Sequence, residues 1–331
     1  MKIGVLWRRF RNVEQHMNLE PEKTYDDAYL EALHYSHGLR DAGYDTCLIE
    51  WRDELCETMR EIEGEKVDLI FNASSTKEVA FCEIFGLPYV GSDLGLVATD
   101  KAFRKAVVGY YGLTTPQFVV ANDENAIPEI PFGYPVFIKP LSGRGSAGIG
   151  EDNIVFDPET TVKVVAKVVH GVGQPALIEE YIQGKEITVG VIGFRDPVAL
   201  PAVEIEYNSA ATNTFEHKMF DRETIYCPAR LPSVVEKGTR NTCLLIYKVL
   251  NAKDYARIDM ILDDDLEPYF LELNTFAGLT MESQVAEDKT MRLHHGYMGY
   301  AAKASGMSQA ELLGSIVESA LDRYGNSPTV G

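Results

Sequence analysis

Several hallmarks of membrane-bound, secreted and metal-cluster proteins are missing from this sequence. No apolar run approaches the about 20 residues that a membrane-spanning helix needs. The five cysteines are scattered and include no CxxC pair, which predicts reduced thiols rather than a zinc site or a disulfide framework. Arginines interrupt the opening MKIGVLWRRF too early for a signal peptide. These absences predict a cytoplasmic protein with no membrane partner.

Positive charge is scarce as well. The chain has 31 Lys and Arg against 50 Asp and Glu, a formal net charge of −19. This balance argues against nucleic acid or an anionic membrane surface as the main partner, because both repel an acidic protein. A nucleotide substrate stays compatible with it, since a local group of lysines and arginines overrides the global field.

The dinucleotide fingerprint GxGxxG does not follow the first predicted strand, KIGVLW, which disfavours a dehydrogenase. Helices and strands alternate from there on, with DTCLIEW and VDLIFNAS as the next two strands. The alternation predicts a doubly wound parallel sheet, the first of two or three domains in a chain of 331 residues. Sites in such sheets lie at the carboxyl ends of strands. Arg8 and the two arginines after it are therefore either solvated or bind an anionic substrate.

Two lysines mark candidate phosphate sites. Lys101 falls near the start of a helix predicted over residues 99–111, where the helix dipole disfavours a cation unless an anion lies nearby. Lys139 ends a predicted strand, and a loop with four glycines, PLSGRGSAGIG, follows it. Glycines let backbone N–H groups approach an anion closely, so the loop is either a phosphate cradle or a mobile hairpin turn. The loop matches neither the P-loop nor the dinucleotide pattern.

Two polar segments interrupt the apolar patterns further on. Glu179, Glu180 and Glu186 lie in ALIEEYIQGKEITVGVIG, where they are either solvated or bind an amine or a sugar hydroxyl. Residues 204–224 are polar and irregular and contain Lys218. A loop of this length predicts a functional lid or a disordered segment.

The stretch ARIDMILDDDLEPYFLELNTFAGLT, residues 256–280, is the most informative. Two short apolar strands flank a polar turn, and residues two apart in a strand point to the same side. If the strands pair, four polar side chains project into one pocket: Arg257, Asp259, Glu272 and Asn274. Oxygen ligands of this kind suit Mg²⁺, and the arginine would neutralise a transferring phosphoryl group. The alternative is an ordinary hairpin whose polar face meets water.

Together these pieces resemble the ATP-grasp superfamily, and most closely its D-alanine–D-alanine ligase branch. The landmarks of that branch occur here in its order: GLPYVGS with DK, IKP with GSAG, IEEYIQGKEITV, CPARLP, ARIDM and LELNTFAGLT. The resemblance covers most of residues 66–283 and the C-terminal helix. It implies an α/β and α+β ATP-grasp fold in three parts. These are an N-terminal doubly wound pre-ATP-grasp domain (1–98), a central lobe (99–184) and a C-terminal lobe with the lid and metal site (185–331).

The resemblance also implies which residues hold ATP and two Mg²⁺ ions, with Mn²⁺ as an alternative metal. The implied ATP contacts are Lys101, Lys139, Gly145, Ser146, Glu179, Glu180, Ile182 and Glu186. The implied metal ligands are Asp259, Glu272 and Asn274. Three residues are implied to act on the reacting groups: Lys218 from the lid, Arg257 in the transition state and the Gly278 backbone at the oxyanion.

The substrate half of the sequence departs from the pattern of the branch. WRRFRNVEQH replaces the usual Gly-Gly-Ser loop, and Glu14 is the candidate there for the glutamate that holds the first D-alanine. The flap serine falls at Gly145 and the lid tyrosine at Met219. Ser283 matches the carboxylate anchor of the second amino acid, but Gln284 follows it where the branch has an apolar residue. With the arginines after the first strand, these changes predict an altered and more anionic substrate.

The sequence therefore predicts an ATP-dependent carboxylate–amine ligase that forms an amide through an acyl phosphate and releases ADP and phosphate. Its expected partners are small carboxylates and amines, either amino acids or amino-acid-like compounds, in a combination other than plain D-alanine with D-alanine. Three alternatives stay open: an ordinary D-alanine–D-alanine ligase of cell-wall synthesis, a carboxylate kinase and a non-catalytic ATP-binding protein. A homodimer is also left open.

Overall fold

The computed structural model describes residues 1–8, 21–73, 76–143, 150–207, 223–282, 284–285, 292–293 and 296–325. Within these ranges, no helix combines the length and the apolar character that crossing a membrane requires.

The N-terminal part is a parallel sheet flanked by helices, as the alternating pattern predicted. Its strands are β1 (Lys2–Trp7), β2 (Asp45–Glu50), β3 (Leu69–Asn72) and β4 (Tyr89–Val90), in the order β2-β1-β3-β4. The connecting helices are α1 (Pro21–Asp41), α2 (Leu55–Glu65) and α3 (Thr76–Phe85). Every described strand pair in this sheet is parallel, and β1 and β3 are buried along almost their whole length. Burial on both faces is what helices packed on each side of a parallel sheet produce.

The central part is a second, antiparallel sheet. Helices α4 (Leu94–Val97) and α5 (Lys101–Tyr110) precede it, and α5 confirms the helix predicted over 99–111. The strands are β5 (Phe118–Ala121), β6 (Val136–Pro140), β7 (Ile154–Val155) and β8 (Ala176–Glu180), in the order β5-β8-β6-β7. A 3₁₀ turn (Glu151–Asn153) leads into β7, and helix α6 (Pro158–Gly171) packs on β6 and β8.

The third sheet is also antiparallel and carries the predicted hairpin. Its strands are β9 (Lys185–Ile192), β10 (Val198–Ala199), β11 (Val203–Tyr207), β12 (Glu223–Tyr226), β13 (Tyr255–Leu262) and β14 (Pro268–Asn274). The order is β12-β11-β9-β13-β14, with β10 on β9, and helix α7 (Ser233–Val249) covers one face. The prediction that residues 204–224 are irregular is wrong at both ends. Strand β11 continues to Tyr207 because Val203 and Ile205 are buried in a sheet, and β12 begins at Glu223.

The remaining elements return the chain to the first sheet. They are β15 (Gln284–Val285), β16 (Arg292–Leu293), α8 (Tyr297–Ala304) and α9 (Gln309–Arg323). Helix α9 begins with a capping box between Ser308 and Glu311, and its buried face joins the same core as α1 and β1. Gly38 permits the close approach of the two helices, because a Cβ atom there would lie 2.7 Å from Leu313 Cδ1.

Candidate active site

The β13–β14 hairpin brings four polar side chains together. Arg257 lies opposite Asn274, and Asp259 opposite Glu272, in antiparallel register. Arg257 holds Asp259 with two hydrogen bonds, Nε to Oδ1 at 2.8 Å and Nη2 to Oδ2 at 2.7 Å. The Asn274 amide donates to Asp259 at 2.8 Å and to Glu272 at 3.1 Å. The hairpin and the convergence of these side chains are confirmed, while their roles stay predictions.

The neighbouring strand fixes Asp259 from a second side. The buried Thr188 hydroxyl of β9 lies 2.6 Å from Asp259 Oδ1, and a bulge between Asp259 and Met260 interrupts the pairing with β14. Bulges re-aim side chains near functional sites. Burial acts to lower the pKa of Arg257, but the ion pair with Asp259 outweighs it and raises that pKa. Arg257 is therefore held as a fixed positive charge.

A buried group of lysines and one glutamate lies beside the hairpin. Lys139 Nζ is 2.6 Å from Glu179 Oε1, and Lys105 Nζ is 3.0 Å from Glu179 Oε2. Lys101 Nζ lies 3.9 Å from Glu272 Oε2 and donates to the Gly143 carbonyl at 3.2 Å. Through its contact with Glu272, Lys101 links this group of lysines to the candidate metal ligands of the hairpin.

Burial and mutual charge set the titration of this group. Burial lowers the pKa of Lys105 to about 8 despite the opposing effect of Glu179. Burial also lowers the pKa of Lys101, against the effect of Glu272. For Glu179, burial acts to raise the pKa, but Lys105 and Lys139 together bring it below its ordinary value. Two cations per buried carboxylate leave a net positive charge, which an incoming anion would balance.

A cleft of about 510 Å³ opens between the two antiparallel sheets, with Lys139 and Glu179 in its wall. This volume is within the range of sites for nucleotide-sized ligands. Its lining includes the predicted ATP contacts Glu180, Ile182 and Glu186. The linker between β8 and β9 supplies the side of the cleft, as its position between the lobes requires.

Glu204 and Arg230 form a second charged pair in the wall of the cleft. Arg230 Nη2 lies 2.7 Å from Glu204 Oε1, and its guanidinium carbon sits 3.4 Å from the centroid of the Tyr226 ring. Burial acts to raise the pKa of Glu204, but hydrogen bonds from Arg230 and Lys185 outweigh it and lower that pKa to about 2. The pair ties the CPARLP segment to β11.

Tyr297 lies next to Arg257 at the other end of the site. The guanidinium carbon of Arg257 is 5.1 Å from the centroid of its ring. The Tyr297 hydroxyl donates to Glu223 at 2.8 and 3.0 Å. Glu223 lies near the end of the segment 204–224 predicted as a lid and is the first described residue after Tyr207. Burial, and then Glu223, raise the pKa of Tyr297, so the phenol stays protonated.

The turn that contains Gly278 is held from both ends of the chain. The Leu279 N–H donates to the Tyr35 hydroxyl at 3.0 Å, and Gln309 Nε2 donates to the Leu279 carbonyl at 3.0 Å. Gly296 packs on the same turn, and a Cβ atom on Gly296 would overlap the Gly278 carbonyl. Helices α1, α8 and α9 therefore fix the backbone position that the resemblance assigns to the oxyanion.

Several predicted site residues lie outside the described ranges. These are Glu14, Gly145, Ser146, Lys218 and Ser283. Gln284 begins strand β15. Arg8 is described: its Nη1 lies 3.8 Å from the buried Glu78 Oε1, and its guanidinium carbon lies 5.6 Å from the Trp51 ring centroid. A buried carboxylate thus already engages Arg8.

Sequence reasoning missed Lys105, Tyr297 and the hydrogen bonds that Tyr35 and Gln309 make to the Leu279 backbone. A signal existed for Lys105, which follows Lys101 by four residues in a helix and so lies on the same side one turn later. No local signal marks the others, because each meets the site through a contact far away in sequence.

Solved structures share this architecture. The D-alanine–D-alanine ligase of Bacillus anthracis, complexed with ATP, superposes with a TM-score of 0.75 at 22% identity, over 98% of this chain and 99% of that one. The VanG D-Ala:D-Ser ligase of Enterococcus faecalis gives a TM-score of 0.73 at 21% identity, over 96% and 99%. The fold is therefore that of the ATP-grasp class, with two lobes that enclose a cleft.

Sequence comparison defines the family within that class. Residues 101–318 match the model of the family described as D-ala D-ala ligase C-terminus. The D-alanine–D-alanine ligase of Bordetella petrii is 32% identical, over 96% of this chain and 92% of its own length. An uncharacterized protein of Sinorhizobium fredii, y4sG, is 28% identical over 88% of both chains. The chain belongs to the D-alanine–D-alanine ligase family, and it is an ATP-dependent ligase that forms carbon–nitrogen bonds.

Proposed function

We propose that this enzyme joins the carboxylate of an amino acid or amino-acid-like compound to an amine, through an acyl phosphate and with release of ADP and phosphate. The observation that carries the proposal is the hairpin group of Arg257, Asp259, Glu272 and Asn274 beside Lys101. Binding ATP alone would not require a fixed arginine and two carboxylates at one point. A non-catalytic ATP-binding protein is disfavoured for the same reason.

The charges around the cleft support the binding of ATP in the proposed reaction. Glu180, Ile182 and Glu186, which line the cleft, would meet the adenosine. Lys139 in the wall of the cleft and Lys101 beside Glu272 would meet the phosphates. When phosphate binds, Lys105 remains beside Glu179, so that carboxylate keeps a buried partner. Gly145, Ser146 and Lys218, if they act as the resemblance implies, would close over the phosphates from the flap and the lid.

The hairpin fits Mg²⁺ by its chemistry. Asp259 and Glu272 offer carboxylate oxygens and Asn274 offers a carboxamide oxygen, the hard donors that Mg²⁺ prefers. Among the described residues, no three His, Cys, Asp or Glu side chains are grouped so that they could hold a metal ion. The hairpin set has two carboxylates, and its third candidate ligand is the Asn274 carboxamide. When bound, Mg²⁺ would neutralise charge on the phosphates. Two ions remain the number that the resemblance implies, with Mn²⁺ as the alternative.

Groups of the protein would stabilise the negative charge that develops in both steps of the reaction. Arg257, held rigidly by Asp259, offers positive charge to the transferring phosphoryl group and then to the oxyanion formed when the amine attacks. The backbone near Gly278, fixed by Tyr35 and Gln309, is the second candidate donor at the oxyanion. A closed lid would keep water from the acyl phosphate.

We further propose that plain D-alanine is not the best substrate for both positions. Gly145 and Met219 stand where the branch has a serine and a tyrosine, so they lack the hydroxyls that orient the first D-alanine. Ser283 and Gln284 begin a segment with an insertion relative to the branch. A site built for polar groups discriminates by about 10⁴ when such bonds are missing.

The test is a screen for ADP release with ATP and Mg²⁺ over amino acids, dipeptides and related diacids, with mass spectrometry of the products. We expect little ADP from D-alanine alone and much more from another carboxylate with an amine. Efficient formation of D-alanyl-D-alanine, at about 1–10³ s⁻¹, would contradict the altered specificity but keep the ligase. ADP release that needs a carboxylate but no amine would instead identify a carboxylate kinase.

A further inference from the structure

Lys105 is a fully buried lysine with no direct task in the proposed reaction. It lies on α5, one turn after Lys101, and its exposed fraction is 0%. Fully buried lysines are rare unless a partner balances their charge. Of the described residues, Lys139 and Glu179 line the cleft and Lys105 does not. An effect of Lys105 on a nucleotide in the cleft must therefore pass through a neighbouring side chain.

Three oxygen atoms surround the Lys105 ammonium, which has three N–H donors. Its Nζ lies 3.0 Å from Glu179 Oε2, and it donates to the Thr115 hydroxyl at 3.1 Å and to the Phe270 carbonyl at 3.2 Å. Glu179 belongs to β8 in the central sheet, and Phe270 belongs to β14 of the hairpin. Contacts to both antiparallel sheets fix Lys105 in place, so it holds one oxygen of Glu179 permanently.

Lys139 contacts the same carboxylate from the side of the cleft. Its Nζ lies 2.6 Å from the other oxygen, Glu179 Oε1. To bind a phosphate in the cleft, the Lys139 ammonium has to give up or share this contact. A buried carboxylate that loses its cation is strongly destabilising. Because Lys105 stays on Oε2, Glu179 keeps a cation when Lys139 turns to the phosphate.

We propose that Lys105 is a positioning residue for ATP binding: it holds Glu179 and so releases Lys139 to bind a phosphate of the nucleotide. The inference rests on the proposed ligase function, in which Lys139 meets ATP. Without Lys105, Lys139 and Glu179 would form a buried one-to-one pair. The phosphate would then compete with Glu179 for the Lys139 ammonium. Two lysines on one carboxylate avoid this competition.

The experiment measures the effect of Lys105→Met on ATP binding in two backgrounds, the wild type and Glu179→Gln. Isothermal titration calorimetry with ATP and Mg²⁺ gives the dissociation constant of each of the four proteins. Glu179 lines the cleft, so Glu179→Gln has an effect of its own on ATP. Each effect of Lys105→Met is therefore taken within one background, which cancels that contribution.

The two backgrounds should respond differently. With Glu179 present, we expect Lys105→Met to raise the dissociation constant for ATP by about tenfold or more, the effect of losing one charge-assisted contact. In the Glu179→Gln background the change should stay within about twofold, the scatter of independent substitutions. No carboxylate then competes for Lys139, so Lys105 has nothing left to hold.

Thr115→Val is the matched control. The Thr115 hydroxyl contacts the same ammonium and donates to the Phe270 carbonyl at 2.8 Å, so its loss disturbs the same packing but leaves every charge in place. It should lower the melting temperature without weakening ATP binding. Lys105→Gln keeps an N–H donor without the charge, and it replaces Lys105→Met in both backgrounds if the methionine variant does not fold.

The outcomes distinguish the two proposals. If the wild type binds ATP but the loss is equal in both backgrounds, Lys105 does not act through Glu179 and the inference is wrong while the ligase stands. The inference is also wrong if the Lys105 variant binds ATP as the wild type does, or if Thr115→Val weakens ATP binding equally. If the wild type binds no ATP, the proposed ligase fails and the inference fails with it.

Discussion

Lys139 illustrates how a buried ion pair in this protein doubles as a candidate ligand site. It contacts Glu179, and Lys105 contacts the other oxygen of the same carboxylate. Removing Lys139 therefore leaves Glu179 paired, whereas removing Lys105 would take away hydrogen bonds to Thr115 and to the Phe270 carbonyl as well. The first lysine is the better probe of ATP binding, and the second belongs to the framework.

We expect Lys139→Ala to weaken ATP binding by about 1.5–3 kcal/mol, the range for a hydrogen bond to a charged group. Isothermal titration calorimetry with ATP measures this directly. Lys163→Ala is the control, because that lysine is exposed and pairs with Glu159 one turn away on the same helix. Equal ATP affinity in both variants would remove Lys139 from the nucleotide site.

Glu204 predicts a particular dependence of stability on pH. Its pKa is about 2 in the folded protein against an ordinary value of 4.5. Between these values the unfolded chain binds more protons, so the stability that ionised Glu204 contributes is complete above pH 4.5 and is lost as the pH falls toward 2. Urea unfolding from pH 6 to pH 2.5 should show a smaller decline for Glu204→Gln than for the wild type.

Glu206→Gln serves as the comparison for that measurement, since the Glu206 side chain is 49% exposed and contacts the same arginine. It should follow the wild-type decline. A Glu204→Gln curve parallel to that of the wild type would mean that Arg230 and Lys185 do not stabilise the ionised carboxylate.

At the scale of elements, the β13–β14 hairpin separates a structural face from a polar one. Ile258, Met260 and Leu273 point into the core, while the residues between them carry the polar group. The alternation means that the polar face can be changed without opening the core.

We expect Glu272→Gln and Asn274→Ala each to abolish Mg²⁺-dependent ADP release while the melting temperature stays close to that of the wild type. Both side chains are only half-buried and neither is part of the core. Asp264→Asn, an exposed position in the turn of the same hairpin, should keep full activity. Full activity in Glu272→Gln would mean that the hairpin has only a structural role. A collapsed fold would mean that Glu272 is needed for folding.

At the scale of the whole molecule, one arginine links the last helix to the first and third sheets. Arg323 on α9 contacts the fully buried Asp254 at 2.7 Å and donates to the Tyr89 carbonyl at 2.6 Å. Asp254 also accepts from the Gly91 N–H at 2.8 Å. These contacts tie the C-terminal helix to the end of β4 and the start of β13.

Arg323→Met should destabilise the protein by about 3–5 kcal/mol, because it leaves the Asp254 carboxylate buried without its cation. Urea unfolding monitored by circular dichroism gives the value. Arg195→Met is the control, since that arginine pairs with Asp322 at an exposed site. A loss no larger than in the control would mean that the Gly91 N–H and the Ser319 hydroxyl are enough to satisfy Asp254.

Local sequence patterns were enough to predict the main elements that build the candidate site. Strict alternation of strand and helix predicted the first parallel sheet, and the two-residue period placed Arg257, Asp259, Glu272 and Asn274 on one face of a hairpin. These signals are local, because they depend on residues two to four positions apart and on short turns.

Long-range packing establishes which distant side chains complete the candidate site. Tyr35 reaches Leu279 across 244 residues of sequence, Gln309 braces the same turn from the last helix, and Lys105 shares Glu179 with Lys139. No periodicity connects such positions, since their contacts depend on how the lobes and terminal helices pack. The strand ends of the segment 204–224 were missed for a related reason: β11 and β12 are stabilised by pairing across a sheet rather than by their own composition.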